Sequence, residues 1–351
     1  MIIDEIEKFD EFVIYGAQVV AYGAYIAIKG LFNKVPLYFA VNSLDNNPTD
    51  IEGIPVCEIR NISKNIPIIV GVTELIQKEV VPYLNKEGYK SVYLLSQKEE
   101  YSLMSAYFRS VGKFPVIEKN IEDKESRHID FVCYEVSNHR DKPLSMHPNL
   151  KSHEKAIQAG AALTDVRVAD LTDFSGDNIS AKNKQYCEMS ATYWVWKNTS
   201  HEWKGIEHYR RHIMLTPEIL TEDIDAILPL PYICYPDTMH QFRRFVNEDV
   251  KNALYNALKT IHPNEYDDYI KILEGKYQYT YNIVCAKKDV FDAYCKWFFE
   301  ITEYMENMSD EVPDIANTRA LSYVAEVLTN LYFMYNQDRL VIRHVPREIY
   351  V

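Results

Sequence analysis

The sequence is short of glycine, of basic charge, of paired cysteines and of long apolar runs, and each shortage excludes a class of protein. Glycine supplies 11 of 351 residues, about 3% where ~7% is usual, so long glycine-rich loops are not expected. Lysine and arginine total 38 against 51 aspartates and glutamates, a net charge of −13. Without a basic surplus to neutralise phosphates, a nucleic-acid partner is not expected.

The cysteines and the apolar runs exclude further classes. None of the six cysteines forms a C-x-x-C pair or a tight cluster with histidine, so neither a zinc site nor a disulfide scaffold is indicated. Reduced thiols in a cytoplasmic protein are expected instead. The acidic start MIIDEIEKFDEF lacks the apolar segment of a signal peptide, and no run reaches the ~18 apolar residues of a membrane-spanning helix.

What is present points to an α/β protein. At about 150 residues per domain the length favours two domains. The apolar runs at 12–16, 66–72 and 91–95 alternate with helical patterns, which is typical of buried parallel strands. We predict a small Rossmann-like parallel-sheet domain over residues 1–120 and a second α/β domain over 128–351. The charged segment Glu118–Arg127 is the predicted linker.

The first domain carries an incomplete dinucleotide fingerprint. The segment IYGAQVVAYG has Gly16 at the predicted strand-to-helix turn, but Gln18 and Ala21 stand where G-x-G-x-x-G requires glycine. The middle glycine normally lets the backbone approach a pyrophosphate. The pattern therefore favours a Rossmann-like fold that binds no nucleotide, with regulatory or partner binding as the alternative.

The second domain concentrates polar side chains at two places. Residues 176–180 precede a helix predicted over 181–197, whose free N–H groups suit an anion. A short strand at 203–206 then leads to a histidine, a tyrosine and two arginines, and arginine matches phosphate oxygens bidentately. A capped helix and a basic strand end are equally compatible with a structural role. The nucleotide-sugar candidates here are Asp177, Asn178, Ser180, His208, Tyr209, Arg210 and Arg211.

Several longer motifs carry a family resemblance. The segments AIQAGAALTD, FSGDNIS, NKQYCEMSATYWVWKN and GIEHYRR, followed by YNIVCAKKDVFDAYCKWFFEI and TRALSYVAEVL, closely resemble the domain-of-unknown-function 4422 family. The resemblance covers roughly residues 129–345. That family occurs in capsular and exopolysaccharide loci and includes glycosyltransferases. The sequence departs from the family pattern at Ile283, Ser322 and Val327, where methionine, glycine and arginine are usual.

The resemblance implies a GT-A-like α/β glycosyltransferase domain. The implied reaction moves a hexose from a UDP-sugar to a lipid-linked or oligosaccharide acceptor, with galactose in pyranose or furanose form as one candidate. A cytoplasmic enzyme is expected, and a lipid-linked acceptor would bring it to the inner face of the membrane. Two alternatives stay open: a non-catalytic nucleotide-sugar-binding partner, and a Rossmann-type oxidoreductase or methyltransferase.

No metal cofactor is expected at the donor diphosphate. GT-A enzymes commonly end a strand in an Asp-x-Asp pair that holds a divalent cation, and the equivalent place here is His208-Tyr209-Arg210. Arg210, with Arg211 or His208, would then offset the diphosphate charge. The literal pair at Asp223 and Asp225 follows a polar turn, so turn or capping chemistry is favoured over a metal site.

Further candidates come from the implied fold and from isolated polar residues. An inverting transfer needs a general base near the acceptor hydroxyl, and Glu326, on an otherwise apolar helix, is the first choice because unpaired burial of its charge is costly. An ion pair between Glu326 and Arg319 is the alternative. Asp237 and His240 are the second choice. Ser137, His139, Arg140, Asp165, Asn183, Tyr186 and Glu188 are further nucleotide-sugar candidates, and Asn282 and Arg319 are acceptor or sugar candidates.

Overall fold

The computed structural model describes residues 2–117 and 129–351, so the linker predicted at Glu118–Arg127 lies outside the described residues. The chain divides into two compact units. The first comprises Met1–Pro115, Leu230–Pro236 and Val351, and the second comprises Val116–Pro229 and Asp237–Tyr350. Within the described ranges, none of the helices combines the length and the apolar character that a membrane crossing requires.

The first unit is built around a six-stranded sheet. Its strands are β1 (Val13–Tyr15), β2 (Tyr38–Val41), β3 (Asp50–Ile51), β4 (Ile54–Glu58), β5 (Ile68–Val70) and β6 (Val92–Leu94). Its helices are α1 (Ile2–Ile6), α2 (Val19–Phe32), α3 (Glu74–Glu87) and α4 (Gln97–Ser110). The strand order is β3-β4-β2-β1-β5-β6. All strand pairs in this sheet are parallel except the pair β3–β4. This strand order with parallel pairing is the Rossmann arrangement, which the apolar runs predict.

The turn from β1 into α2 is closed by packing. Gly16 has a φ of 119°, and a Cβ atom there would lie 2.6 Å from the carbonyl oxygen of Gly71. A Cβ on Gly71 would in turn lie 3.1 Å from the Cα of Ala21. Gln18 directs its amide to the Oδ1 of Asn47 at 3.2 Å. Helix and sheet therefore approach closely without the two missing glycines of the fingerprint.

The second unit holds a larger mixed sheet. The strands of this sheet are β7 (Phe131–Ser137), β8 (Glu154–Gln158), β9 (Leu171–Thr172), β10 (Trp203–His208), β11 (Arg211–Ile213), β12 (Ala226–Pro229), β15 (Val284–Lys287), β16 (Ile342–Val345) and β17 (Arg347–Ile349). The short strands β13 (Tyr232–Ile233), in the first unit, and β14 (Tyr277–Gln278), in the second, are not part of it. The helices of the second unit are α5 (Asn183–Tyr186), α6 (Met189–Asn198), α7 (Thr238–Phe242), α8 (Glu248–Ile261), α9 (Tyr266–Leu273), α10 (Lys288–Glu306), α11 (Asp314–Asn317) and α12 (Ala320–Tyr335).

The direction of the strands creates one polar edge in this sheet. The order is β16-β12-β15-β10-β7-β8-β9, and β10, β7, β8 and β9 run parallel while β15 runs antiparallel to β10. The carboxyl ends of the four parallel strands therefore meet the start of β15 at the same edge. Open α/β sheets bind ligands at such an edge. The predicted fold class, a Rossmann-like sheet followed by a GT-A-like α/β sheet, is confirmed.

The long helix predicted over 181–197 is wrong as a single element. Residues Ser180–Lys182 form a 3₁₀ turn, α5 follows, and the chain breaks at Cys187, whose φ is 49°. The side chain of Asn183 stabilises the break, because its Nδ2 donates to the Cys187 carbonyl at 2.6 Å and to the Ser190 hydroxyl at 2.9 Å. As a result Ser180 caps neither α5 nor α6, and Glu188 lies at the break, just before α6.

Candidate active site

A tight hairpin places two arginines at the polar edge. His208 ends β10 and pairs with Arg211 at the start of β11, so Tyr209 and Arg210 form the turn between them. The Arg210 guanidinium lies 4.8 Å from the centre of the Tyr209 ring, and the Arg211 guanidinium lies 4.0 Å from the centre of the Tyr281 ring. Stacking on aromatic rings orients guanidinium groups while leaving N–H donors available.

Buried polar atoms without hydrogen-bond partners gather at this edge. Among the residues that the structure describes, the Ser137 hydroxyl, His139 Nδ1, His208 Nε2 and Arg211 Nε are buried and accept or donate no hydrogen bond. Ser137 and His139 lie at the end of β7, and His208 and Arg211 lie in the β10–β11 hairpin. Buried polar groups in proteins are nearly always paired, so a group of unpaired ones indicates a place where a ligand can supply the partners. A bound polar molecule at this edge would satisfy them.

Glu188 is held in place from the neighbouring loop. Asn282 lies two residues before the start of β15, and its Nδ2 donates to Glu188 Oε1 at 2.9 Å. The Thr329 hydroxyl donates to Asn282 Oδ1 at 2.9 Å, which fixes the orientation of that amide. His208 Nε2 lies 4.0 Å from the same Glu188 oxygen. Three of the candidates predicted from sequence therefore come together in space.

Glu326 reaches the same cluster from α12. Burial, together with the negative charge of Glu188, raises the pKa of its carboxyl to about 7. The positive charge of Arg211 acts in the opposite direction, as do a hydrogen bond from the Tyr281 backbone and the charge of Arg319. Within the described chain no ion pair joins Glu326 to Arg319. A carboxyl group with a pKa near neutrality, facing a second acid and two arginines, is suited to proton transfer.

The same charges also shift the pKa values of His208 and Asp141. Burial lowers the pKa of His208, the Glu188 carboxylate opposes that shift, and Arg211 adds to it. Burial raises the pKa of Asp141 to about 6, against a hydrogen bond from the Asn138 N–H and the charge of Arg210. Arg210 therefore lies towards the loop after β7, whereas Arg211 lies towards Glu326.

Left-handed backbone conformations border the cluster. Tyr281 and Asn282 have φ values of 71° and 52°, and Cys187 has a φ of 49°. Such conformations cost non-glycine residues roughly 1–2 kcal/mol each and tend to cluster at functional sites. They bring Asn282 and Glu188 together, and Arg319 donates from Nε to the Cys187 sulfur at 3.2 Å.

Other candidates in residues 173–198 make local structural contacts. Asp177 accepts from the Tyr193 hydroxyl at 3.1 Å, and the side chain of Asn178 bonds within its own loop. Ser180 donates its hydroxyl to Asp173, a fully buried carboxylate. Tyr186 is buried, and burial raises its pKa. The Asn183 carboxamide receives a bond from Asn138 and closes the break before α6.

Asp173 organises this region and was not identified from the sequence. Its carboxylate accepts from the N–H groups of Gly160 and Ala161 at 2.8 and 3.1 Å, and from the Ser190 hydroxyl at 2.7 Å. It thereby ties the end of β8 to the start of α6. The only sequence signal was its place in the polar loop TDFSGDNIS, where Asp177 is an equally plausible choice.

The remaining candidates are more exposed or are engaged as caps. Asp165 and Arg140 are exposed, and His240 is exposed in α7. Asp237 caps α7, because its Oδ1 accepts from the His240 N–H at 2.6 Å. Asp225 pairs with Lys287 at 3.0 Å and directly precedes β12. Because β12 runs parallel to β10, Asp225 lies at the opposite edge of the sheet from His208.

One group of potential metal ligands occurs among the described residues. Glu154, Glu207 and His212 lie close together and are buried. Successive residues of a strand point to opposite faces, so Glu207 lies on the other face of the sheet from His208. This group is therefore separate from the cluster formed by Glu188, His208 and Glu326.

Comparison with known proteins agrees with this architecture. A family model described as "Domain of unknown function (DUF4422)" matches residues 136–337. Among solved structures, the apo structure of the WbbM bifunctional glycosyltransferase is similar with a TM-score of 0.52 and 24% sequence identity. The match covers 62% of this chain and 45% of that chain, so this chain spans less than half of that protein. A search of curated proteins found no match.

Proposed function

The chain belongs to the family described as "Domain of unknown function (DUF4422)", whose model matches more than half of it, and from this membership we propose that it is a glycosyltransferase. Its proposed reaction moves a hexose from a UDP-sugar to a lipid-linked or oligosaccharide acceptor during capsular or exopolysaccharide synthesis. Galactose, as pyranose or furanose, is one candidate sugar. The similarity in fold to a protein named as a glycosyltransferase supports the reaction class.

The observation that carries the proposal is the set of unpaired buried atoms at the carboxyl edge of β7 and β10. Ser137, His139, His208 and Arg211 each present one such atom, as judged over the residues that the structure describes. A nucleoside diphosphate offers both donors and acceptors to such groups. In the proposed complex the guanidinium groups of Arg210 and Arg211 offset the diphosphate charge, in the place where many related enzymes use a divalent cation.

The proposed chemistry is an inverting displacement. The acceptor hydroxyl oxygen forms a bond to the anomeric carbon of the sugar while the bond from that carbon to the β-phosphate oxygen breaks. UDP leaves with the electron pair, and Glu326 takes the proton of the hydroxyl. A base of pKa about 7 is well matched to this role at neutral pH. Asn282 and Arg319 would contact the sugar or the acceptor from the adjoining loops.

Calorimetry and a transfer assay test the proposal together. We expect UDP to bind and NAD and S-adenosylmethionine not to bind, and a panel of UDP-hexoses to reveal one that is hydrolysed or transferred. Arg210→Ala and Arg211→Ala should each weaken UDP binding by about 10- to 100-fold, since a hydrogen bond to a charged group contributes ~1.5–3 kcal/mol. Arg60→Ala, at an exposed arginine of the first unit, is the matched control and should leave affinity unchanged.

Each alternative has its own outcome in these experiments. UDP binding without any turnover would support a non-catalytic nucleotide-sugar-binding partner. Binding of NAD or S-adenosylmethionine would support a Rossmann-type oxidoreductase or methyltransferase. Turnover that requires added Mg²⁺ or Mn²⁺ in the assay would refute the role assigned to the arginines and leave the reaction class in place.

A further inference from the structure

A second polar cluster lies inside the larger sheet, beneath the β10–β11 hairpin. The strand register places Glu207 of β10 beside Glu135 of β7, and Cys133 of β7 beside Glu154 of β8. The three glutamates therefore share one face of the sheet. His212, on β11, lies in the same cluster. The side chains of Glu154, Glu207 and His212 are at most 3% exposed, so these charges are removed from water.

The spacing of these side chains suits one small cation. Glu154, Glu207 and His212 each offer a ligand atom, and the three atoms lie within 4.8 Å of one another. His212 Nδ1 lies 3.4 Å from Glu207 Oε1. Ligand atoms at ~2.1 Å from a tetrahedral zinc ion lie about 3.4 Å apart. Small side-chain rotations would therefore place all three ligand atoms on one ion and leave the fourth position for a water molecule.

The contacts around the three ligands are those of a prepared metal site. His212 Nε2 lies 2.9 Å from Glu135 Oε2, although among the described residues it has no hydrogen-bond partner of suitable geometry. Metal-ligating histidines usually place their other N–H against a carboxylate. Glu207 Oε2 accepts from the Ile213 N–H at 2.9 Å. Glu207 Oε1 has no hydrogen-bond partner among the described residues, although the side chain is fully buried. It points into the cluster, towards His212.

The charges also leave room for a divalent cation. Glu135, Glu154 and Glu207 are three acidic side chains, and among the described residues Lys151 contacts them, with its Nζ 2.9 Å from Glu154 Oε1. A histidine must be neutral to bind a metal. With His212 neutral and the three carboxyl groups ionised, the sum is −3 + 1 = −2, which one divalent ion would cancel. Buried charge without compensation is costly. A carboxylate oxygen has more than one lone pair, so Glu154 can keep Lys151 and still bind a metal.

We propose that Glu154, Glu207 and His212 bind one Zn²⁺ ion, with Glu135 positioning His212 from behind. The site uses none of the cysteines and lies on the opposite face of the sheet from the proposed donor site. Because Glu207 and His212 directly flank the segment His208–Arg211, the ion would join β10 to β11 at the base of the hairpin. Its role is to hold that hairpin in position, and it makes no contact with the sugar diphosphate.

Metal content and thermal stability test this site without an activity assay. The full chain, purified without chelator, should contain about one equivalent of zinc by plasma mass spectrometry. After chelator treatment and buffer exchange, Zn²⁺ should raise Tm by about 3–6 °C through its binding to the folded state, with Mn²⁺ as a second probe. His212→Gln and Glu207→Gln should lose both the metal and the shift. Glu135→Gln should weaken affinity about 10- to 100-fold.

His153→Gln is the matched control. Its ring lies 3.7 Å from Glu154 Oε1 and stacks on Phe131, so the variant should keep the zinc and the Tm shift. Less than about 0.1 equivalent of metal together with no Tm response to Zn²⁺ or Mn²⁺ would overturn the proposal, and this result from the natural chain decides even if the variants fail to fold. Loss of the shift in His153→Gln with retention in His212→Gln would also overturn it.

Discussion

The two parallel-sheet edges of this chain differ in how fully their polar groups are paired. In the first unit the turn after β1 is tightly packed, because Gly16 lies against Gly71 and Gly71 lies against Ala21. Within its described residues, 2–115, 230–236 and 351, no buried side-chain nitrogen or oxygen atom lacks a hydrogen-bond partner. In the described part of the second unit four such atoms lie where β7 and β10 end, and the others belong to Glu207, His212, His262 and Asn330. Strand topology provides an edge in both units, whereas a group of unpaired polar atoms marks an edge that is prepared for a ligand.

Positive-φ backbone does not separate the two units. Non-glycine residues with positive φ occur in the first unit at Asn33, Asn46, Glu52 and Phe114. In the second unit Cys187, Tyr281 and Asn282 have positive φ and border the proposed site. The difference on which we propose that the second unit binds the nucleotide sugar is therefore the pairing of buried polar groups, and the following predictions test that proposal.

The largest expected effect is on catalysis. Glu326→Gln keeps the size of the side chain but removes the base, so we expect kcat to fall by about 10²- to 10⁴-fold in a UDP-hexose transfer assay. The control is Gln18→Ala in the first unit, at the middle position of the incomplete fingerprint, which should change kcat by less than about twofold. Comparable losses in both variants would break the comparison, because the first unit would then take part in the reaction.

The second prediction concerns stability. Gly16→Ala should lower the free energy of unfolding by about 2–4 kcal/mol, because it combines a positive φ with a clash against the Gly71 carbonyl. Gly88→Ala is the control: its φ is 85° but no atom lies within 4 Å of an added Cβ, so a loss of about 1–2 kcal/mol is expected.

Denaturant unfolding gives these two values, and UDP titration of the folded variants sharpens the comparison. Gly16→Ala protein that is still folded should bind UDP as tightly as the natural chain. A selective loss of UDP affinity in Gly16→Ala would move the nucleotide site to the first unit.

The smallest expected effect is on the pH profile. In the proposed reaction Glu326 is the base, and burial raises its pKa to about 7, so kcat/KM should rise about tenfold per pH unit below pH 7 and level off above it. The same shift has a defined sign for stability. A carboxyl whose pKa is raised on folding stabilises the fold fully only below its ordinary pKa of 4.5, and this stabilisation is lost as pH rises through 7.

Glu326→Gln tests the stability part directly. The variant should be less sensitive to pH between 5 and 8 in thermal unfolding, and its stability relative to the natural chain should increase across that range. An unchanged pH profile in the variant would show that Glu326 is not the titrating group.

The sequence predicted the architecture and several members of the site. Apolar runs indicate buried strands because a strand that is buried carries mostly apolar side chains. These runs therefore predict strands in both sheets. The motifs GIEHYRR and TRALSYVAEVL drew attention to His208, Arg211 and Glu326, which lie together. The break at Cys187 was missed, because the helical spacing of apolar residues continues across it and only the bonds from Asn183 reveal it.

The buried polar contacts were also beyond prediction. Asp173 and Asp141 look like ordinary loop acids in the sequence, yet backbone N–H groups from other segments converge on Asp173. Glu154 and His212 are 58 residues apart in a sequence that gives no ligand spacing, and pairing of β7, β8 and β10 brings them to one cluster. The same holds for Asn282, whose bond to Glu188 spans 94 residues.

By itself the amino-acid sequence determined which segments are buried, in what order strands and helices follow, and which residue types end the strands, because these depend on local apolar periodicity and side-chain chemistry. Only the tertiary structure decided which of those polar ends remain unpaired and which charges face one another. Hydrogen bonding and charge interactions act over a few ångströms in space between residues far apart in the chain, so they are set by strand pairing and packing.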